Sequence, residues 1–505
     1  MSISTLSHVS GDSPLERLPA ELLRRILIYV TLPDQSSNYI KCKNLYPIII
    51  PYHILSQHRL TNYCHLDPKD VNRRPKQPPL NSLPCLLTSR TLHTATFPVM
   101  YRNVTTAGPS TLTKFLTQLR CHPNLGTLVR SLDLGPTSRT IHFSDEKIAN
   151  PIPELLRLTP LLREIKIQPA LYQYIDKQTL VCVFSQLSYL ETIDLENCNT
   201  PTFGSDFAAL CSLPGFHISS TITNLNLEGC HDLPPIVFET LLPQLPRLKT
   251  LIASRTQITD QALLSIPSTA QLITLSINNC PFLSGFGISS FVAQHPAART
   301  LDTLYAATDP AINPMLEEDV TRILSKAPST LQCLDLRNSL MTPRNVPLLR
   351  RLVTQLKDLR VGSQLSMQDI ESLYLAPEVA TEQAVSIPLE VPPASNFKDN
   401  VVLEPMARAV AICNLRTRLR STPSLPIDQQ PRLRSLDISS LPIAEQGKLR
   451  TSVLLGPHAR YLHAISVSGD VVGKFEILKR VVKAVGWCLL DATSCCMVMR
   501  DEELI

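Results

Sequence analysis

A short alternation of apolar and polar residues, L-x-x-L-x-L or a close variant, recurs eleven times along the 505-residue chain. Clear copies lie at residues 190–195, 272–277 and 331–336. Because side chains alternate between the two faces of a strand, this pattern predicts short strands that each bury one face. The central residue of each predicted strand is aliphatic: Leu132, Ile165, Ile193, Leu225, Leu251, Leu275, Leu304, Leu334, Leu359, Leu436 and Ile465.

These central residues recur at mostly regular distances. Neighbouring ones are 24 to 33 residues apart, except for a 77-residue step from Leu359 to Leu436. The spacing resembles that of leucine-rich repeats, whose unit is typically ~20–29 residues. The resemblance implies an α/β solenoid, a horseshoe with parallel strands on its concave face and helices on its convex face, because stacked units bury one continuous core.

The segments between the strands carry helix and turn signals. In residues 258–264, Thr259 or Asp260 can cap a helix, and we expect Leu263 and Leu264 to face the core.

Three cysteines, Cys198, Cys230 and Cys280, stand at equivalent positions after the strands, in the pattern L-x-L-x-x-C. A free cysteine behaves as a small hydrophobe, so we expect the three side chains to line up along the core. The alternative is a metal or redox set, for which the 14 cysteines offer no paired C-x-x-C spacing. Another zinc alternative, with spacings that match no standard finger, is the N-terminal cluster of Cys42, His53, His58, Cys64 and His65.

The N-terminal residues 15–30 predict an amphipathic helix. Pro19 suits the first turn of a helix, where its missing N–H is harmless. A stripe of apolar residues then follows at helical spacing: Leu22, Leu23, Ile26, Leu27 and Val30.

The tract LERLPAELLRRIL, residues 15–27, resembles the first half of an F-box, whose usual form is L-P-x-E-[LI]-[LI]-x-x-I. Residues 83–104 resemble the closing helices of that motif. Residues 31–79 between them are longer than the family pattern allows, which indicates an insertion in the box or extra sequence retained by the gene model.

An F-box followed by leucine-rich repeats resembles the substrate receptors of fungal Skp–cullin–F-box ubiquitin ligases. The resemblance implies that the F-box docks on the Skp adaptor and its cullin complex, while the repeats hold the protein to be ubiquitinated. The implied adaptor contacts are apolar anchors: Leu15, Leu18, Pro19, Leu22, Leu23 and Ile26. Alternatively, some of these leucines pack on the first repeat of the same chain.

Substrate contact is expected on the outward strand positions between the core leucines. The candidates are Asp194, Asn226, Ile252, Tyr305, Asp335, Arg337 and Arg360. Ile252 and Tyr305 stand out, because an exposed aliphatic or aromatic side chain on a concave face is unusual without a partner. The mixed charges predict a partner of mixed charge. The alternative for each residue is a solvated strand position.

The predicted organisation has five parts. We expect a disordered start at 1–13, an F-box-like helical domain at 14–105 with its insertion at 31–79, and a solenoid at 106–375. An irregular insertion rich in Pro, Glu, Ala, Val and Ser follows at 376–432. The last repeats and a cap occupy 433–505, with a helix-like stretch at 474–485.

Composition narrows the function further. The net charge of +5 comes without a dense Lys/Arg stripe, so no nucleic-acid partner is expected. G-x-S-x-G, P-loop and H-E-x-x-H motifs are missing, which favours a non-catalytic chain without metal or cofactor. No apolar run reaches ~20 residues, so we expect no membrane span and a cytoplasmic or nuclear location. The rival hypothesis is a repeat scaffold or regulator that binds a signalling or checkpoint protein outside any ubiquitin ligase.

Overall fold

The structure is a computed structural model that describes residues 18–19, 21–23, 26, 89–106, 109–135, 150–375, 430–456, 459–468, 487–491 and 495–500. The chain divides into two compact units, Met1–Thr192 and Ile193–Ile505. The division falls at the third predicted strand. The domain boundaries expected at 105 and 375 stay predictions.

The first unit alternates short helices with parallel strands. Its elements are α1 (Arg90–Arg102), β1 (Asn103–Thr105), α2 (Pro109–Cys121), a 3-10 helix (Pro123–Leu128), β2 (Ser131–Leu134), α3 (Ile152–Leu158), β3 (Glu164–Ile167), a second 3-10 helix (Pro169–Tyr174), α4 (Lys177–Val181) and a π-helical turn (Cys182–Gln186). Strand β2 pairs in parallel with β1 and with β3. The predicted centres Leu132 and Ile165 lie opposite each other and are fully buried.

Strand β1 was not predicted. Its Val104 belongs to the stretch expected to close the helical F-box, but α1 ends at Arg102 and Asn103 is already extended. Val104 pairs opposite Leu132, so this β-branched residue extends the parallel sheet by one strand.

The second unit continues the same alternation. Its strands are β4 (Thr192–Asp194, at the division), β5 (Asn224–Asn226), β6 (Thr250–Ile252), β7 (Thr274–Ser276), β8 (Thr303–Tyr305), β9 (Cys333–Asp335), β10 (Asp358–Arg360), β11 (Ser435–Asp437), β12 (Ala464–Ser468), β13 (Trp487–Asp491) and β14 (Cys495–Arg500). Its helices are α5 (Pro201–Cys211), α6 (Pro235–Leu241), α7 (Asp260–Leu264), α8 (Gly285–Gln294), α9 (Glu317–Lys326), α10 (Val346–Leu352), α11 (Met367–Ser372) and α12 (Ile443–Gly447). Short 3-10 segments lie at Leu242–Gln244, Pro296–Thr300, Pro343–Asn345, Lys448–Thr451 and Val453–Leu455.

The repeat register is the one that the sequence predicts. From β5 to β12 each strand pairs in parallel with the next, with the predicted central residues directly opposite one another. Each of these central residues is at most 1% exposed, from Leu225 to Ile465. This long parallel sheet with intervening helices is consistent with a leucine-rich-repeat solenoid.

The 77-residue step does not interrupt the sheet. Strand β10 pairs directly with β11, and Leu359 lies opposite Leu436. The intervening chain therefore adds no strand between these two. Most of the predicted insertion, 376–429, lies outside the described residues.

An antiparallel hairpin closes the series. Strand β14 pairs antiparallel with β12, and β13 pairs antiparallel with β14. Trp487 at the start of β13 is 2% exposed and donates from its indole N–H to the Leu455 carbonyl at 3.0 Å. The helix expected at 474–485 lies outside the described residues.

The turns after the strands are also repeated. Asn197, Gly229, Arg255, Asn279 and Asn338 all adopt positive φ, between 54° and 71°, at the equivalent position. Gly and Asn tolerate this left-handed conformation, whereas arginine adopts it at a cost of roughly 1–2 kcal/mol.

The three equivalent cysteines line the core as predicted. Cys198 and Cys230 are fully buried, and Cys280 is 7% exposed. Cys230 and Cys280 each donate a thiol hydrogen bond at 3.1 Å to the carbonyl of the residue just after a strand of a neighbouring repeat, Leu195 and Ala253 respectively. Burial raises the pKa of Cys230 to about 12 and that of Cys280 to about 11, so both remain thiols.

Helix α7 confirms one part of its prediction and corrects another. The Thr259 hydroxyl accepts a hydrogen bond from the Ala262 N–H at 3.1 Å and caps the helix. Leu263 is buried, but Leu264 is 48% exposed, so its inward placement was wrong. Consecutive residues of a helix point about 100° apart, so Leu263 and Leu264 of this short helix do not both face the core.

Candidate protein-binding sites

The N-terminal segment begins a helix at the predicted proline. The N–H groups of Leu22 and Leu23 both donate to the Pro19 carbonyl, at 2.9 and 3.0 Å. Residues 21–23 and 26 are helical. Pro19 therefore stands where its missing N–H removes no helical hydrogen bond.

The structure separates the predicted adaptor residues into two groups. Leu23 is 1% exposed and packs against Ala95 of α1, with Leu18, Leu92 and Val99 around them. Leu23 therefore belongs to the chain's own core and offers no exposed side chain to an adaptor.

Three of the other predicted anchors are exposed, and one lies outside the described residues. Leu22 is 45% exposed and Ile26 is 40% exposed. Pro19 is exposed as well, and Leu15 lies outside the described residues. Because Leu22 and Ile26 are four residues apart, they share one face of the helix. Both stay exposed beside Leu23, which packs on α1.

The second candidate site is the strand face of the second unit, defined as the outward strand positions from Asp194 to Asp437 and the residues just after them. Its first part is half-buried: Asp194, Asn226 and Ile252. The Asn226 side-chain amide donates to the Asp194 carboxylate at 2.9 Å. These polar side chains are therefore ordered by one another along neighbouring strands.

A buried carboxylate lies beside this first part. Glu228 is 9% exposed and pairs with Arg255 at 3.2 Å. Burial raises the pKa of Glu228 to about 7, Arg255 opposes the rise, and the nearby Glu196 and Asp194 add to it. Glu228 thus changes its charge near neutral pH.

The later part of the strand face is a closed ion-pair network. Arg337 donates through Nε and Nη2 to both carboxylate oxygens of Asp335, at 3.0 and 2.9 Å. Arg360 donates to the same carboxylate at 3.1 Å. Arg337 also reaches Asp437 at 3.5 Å. Burial alone would raise the pKa of Asp335, but the two guanidinium groups outweigh it and hold that pKa below its ordinary value.

Two expectations about this part were wrong. Tyr305 is 5% exposed, because the Arg360 guanidinium covers its ring at 5.2 Å from the centroid. Asp335 is fully buried beneath its two arginines. Neither residue offers the exposed side chain that a substrate contact needs.

The sequence reasoning missed a third surface. Four large apolar side chains lie half or more exposed at the starts of α8 and α9 and in the loops before them: Phe282, Phe286, Ile312 and Leu316. One signal was readable in the sequence, because Leu316 occupies a helix N-cap where Ser or Thr is expected.

Two negative findings hold for the described part of the chain. No helix there is long and apolar enough to cross a membrane. No group of three or more His, Cys, Asp or Glu side chains there could hold a metal ion. The histidines and cysteines of 42–65 lie outside that part.

The fold is consistent with a leucine-rich-repeat protein, and the comparisons add one sequence relative. No family model matches the chain. It is 27% identical over 180 residues to the F-box protein YLR352W of Saccharomyces cerevisiae. The match covers 33% of this chain and only 22% of the yeast protein.

Solved structures give looser likenesses. In the crystal structure of the yeast Rad7 and Elc1 complex, one chain matches with a TM-score of 0.33 and 14% identity, over 75% of this chain and 84% of that one. A chain of the TLR13–ssRNA13 complex matches with a TM-score of 0.29 and 19% identity, and the match covers 49% of this chain and 35% of that one. Scores of this size carry no functional argument.

Proposed function

We propose that this chain is the substrate-recognition subunit of a Skp–cullin–F-box ubiquitin ligase. Its N-terminal segment binds the Skp adaptor, and its repeats bind the protein to be ubiquitinated. The similarity to a yeast F-box protein over 180 residues supports the class of protein. The F-box-like tract at residues 15–27 supports the place of adaptor binding.

The exposure of Leu22 and Ile26 is the observation that carries this proposal. Two large aliphatic residues on one helical face, 45% and 40% exposed, form a ready apolar contact. Leu23, which lies beside this face on the same helix, packs against Ala95 of α1 in the core. The apolar face is thus presented in a fixed orientation, which reduces the entropy lost on binding.

The proposed role is non-catalytic. A ubiquitin-charged enzyme elsewhere in the ligase performs the bond-forming step, and this chain holds the substrate near it. Such proximity converts an encounter between two molecules into a step within one complex. The proposal places the protein in the cytoplasm, the nucleus or both.

Adaptor binding by the full-length chain tests the proposal. The variant Leu22→Ser with Ile26→Ser should bind purified Skp adaptor at least about tenfold more weakly, because apolar anchors at interface centres contribute more than about 1 kcal/mol each. The change leaves the Leu23 core contact in place. Affinity is measured by biolayer interferometry.

A matched control is the single variant Leu213→Ser, since Leu213 is 44% exposed in the other unit. It should bind the adaptor like the wild-type chain. Failure of the folded wild-type chain to bind the adaptor would refute the proposal and favour the scaffold hypothesis.

A further inference from the structure

The apolar edge is a surface of the second unit formed by Phe282, Phe286, Ile312 and Leu316. Their exposed fractions are 54%, 64%, 57% and 50%. Isolated exposed apolar residues are ordinary, but a contiguous group marks an interaction site. Two adjacent repeats supply two of these residues each.

Contacts between the two loops place these side chains together. The Asn313 side-chain amide donates to the Pro281 carbonyl. The Arg322 guanidinium lies over the Phe286 ring, 5.0 Å from its centroid. At Gly285 an added Cβ would lie only 3.0 Å from the Met315 Cα, so the loops are in direct backbone contact.

The loops are held by hydrogen bonds rather than left loose. Asp309 accepts from the Ala311 N–H at 2.9 Å and, through its carbonyl, from the Asn313 N–H at 3.0 Å. Ser284 donates its N–H and hydroxyl to the Asp260 carboxylate at 2.9 and 2.6 Å. A partner therefore meets an ordered surface and loses little affinity to ordering it.

The exposed apolar residues Phe286 and Leu316 stand at helix positions that are polar in several other repeats, although α6 has Pro234 as its N-cap and Ile236 as its second residue. The N-cap residues of α5, α7, α8 and α11 are Thr200, Thr259, Ser284 and Ser366, and each accepts a capping hydrogen bond. In α9 that position is Leu316, which has no side-chain oxygen. The second residue of the helix is Thr202 in α5, Gln261 in α7 and Gln368 in α11. In α8 it is Phe286, and in α9 it is Glu318.

Acidic side chains surround the edge. Asp319 pairs with Arg322 at 3.4 Å, and Glu317 pairs with Arg344 at 3.8 Å. The exposed carboxylates of Asp309 and Glu318 have no ion pair among the described residues. This excess of negative charge favours a partner that carries lysine or arginine beside its apolar residues.

We propose that the apolar edge is the substrate-docking surface of the repeats. It takes a short segment of a protein that presents two or three large apolar side chains flanked by Lys or Arg. The proposal rests on the proposed substrate-receptor function and specifies where and what that receptor binds. The strand face is the weaker candidate, because Asp335, Arg337 and Arg360 already pair with one another.

Selection of random 12-residue peptides displayed on phage, with the full-length chain as bait, tests this surface. The selected peptides should combine large apolar residues with Lys or Arg. Fluorescence polarisation then gives the affinity of a synthetic peptide of the enriched sequence. The variant Phe286→Ser with Leu316→Ser should lower that affinity by at least about tenfold, as expected for two anchors of an apolar contact.

The matched control is Ile236→Ser with Leu264→Ser, which removes two apolar side chains of 44% and 48% exposure from other repeats. It should retain the peptide affinity within about twofold. The adaptor-binding variant, Leu22→Ser with Ile26→Ser, should also retain it. Skp adaptor binding should be unchanged in the Phe286 and Leu316 variant, which separates a failure of this proposal from a failure of the receptor function.

Three results would overturn the proposal. One is enrichment of acidic peptides, and another is peptide affinity that survives the loss of Phe286 and Leu316. The third concerns a different occupant and uses sedimentation velocity. A wild-type dimer that the Phe286 and Leu316 variant dissociates would assign the edge to a second copy of this chain.

Discussion

The strand face and the apolar edge are built from the same repeats, but their side chains are satisfied in opposite ways. On the strand face, Asp335 and Arg360 pair within the chain, and Tyr305 lies beneath the Arg360 guanidinium. On the apolar edge, Phe286 and Leu316 remain 64% and 50% exposed. Polar character therefore does not identify a binding surface here, because the polar groups of the strand face bind one another, whereas Phe286 stays largely exposed even with the Arg322 guanidinium over its ring.

The largest expected effect tests whether the strand face is a structural network. Asp335→Ala removes a fully buried carboxylate and leaves Arg337 and Arg360 facing each other. Removal of one partner of a buried ion pair typically costs about 3–5 kcal/mol, so we expect a loss of that size in the free energy of unfolding. Urea unfolding followed by circular dichroism measures it.

The matched control for this change is Glu318→Ala, because Glu318 is an exposed acid of the same unit. It should change the free energy of unfolding by less than about 0.5 kcal/mol. Equal effects of the two substitutions would show that the network contributes nothing specific to stability.

A smaller effect depends on pH and concerns Glu228. Its pKa in the folded chain is about 7, above the ordinary glutamate value of 4.5. Between these values the folded chain binds more protons than the unfolded chain, so the contribution of Glu228 to stability falls as the pH rises from about 4.5 to 7. Glu228→Gln removes this dependence, and we expect its stability relative to wild type to rise from pH 5 to pH 8.

The measurement is the urea midpoint of both chains at each pH, with Glu318→Gln as an exposed control. The relative gain of Glu228→Gln should be on the order of 2–3 kcal/mol, since pH 5 to 7 lies between the two pKa values and each pH unit there corresponds to about 1.4 kcal/mol. Parallel pH profiles for wild type and Glu228→Gln would contradict the assignment of a raised pKa.

Local periodicity was enough to predict the repeat strands from β2 to β12, but not β1 or the hairpin of β13 and β14. Leu225 and Leu251 lie opposite each other because the distance between them along the chain matches one repeat, which consists of a strand, a helix and their connections. The same reasoning could not predict that Tyr305 is covered. Its cover, Arg360, comes from two strands further along the sheet, and the sequence does not state which side chains reach across.

The N-terminal site shows the same limit. The helical pattern placed Leu22, Leu23 and Ile26 on one apolar stripe. The structure buries Leu23 against Ala95 and leaves the other two exposed, which depends on a contact between segments 72 residues apart. The apolar edge differs, since its departure from the repeat pattern at Leu316 is local and could have been read by aligning the helix N-caps.

The smallest expected effect has the opposite sign and sharpens the comparison most. Leu316→Ser supplies the missing capping hydroxyl, and Asp319 already accepts the reciprocal bond from the residue 316 N–H at 3.3 Å. We expect the free energy of unfolding to increase by about 1 kcal/mol. The reverse change, Thr259→Leu, removes an existing cap and should lower it by a similar amount. Both are measured by urea unfolding.

The change in stability and the change in peptide affinity caused by Leu316→Ser together decide the role of Leu316. A chain stabilised by Leu316→Ser that also binds the selected peptide more weakly would show that this repeat sacrifices a cap to keep an apolar contact for a partner, as binding surfaces commonly trade stability for function. A destabilised Leu316→Ser chain would instead show that Leu316 packs within its own repeat. The apolar edge would then resemble the strand face, with its side chains satisfied inside the chain.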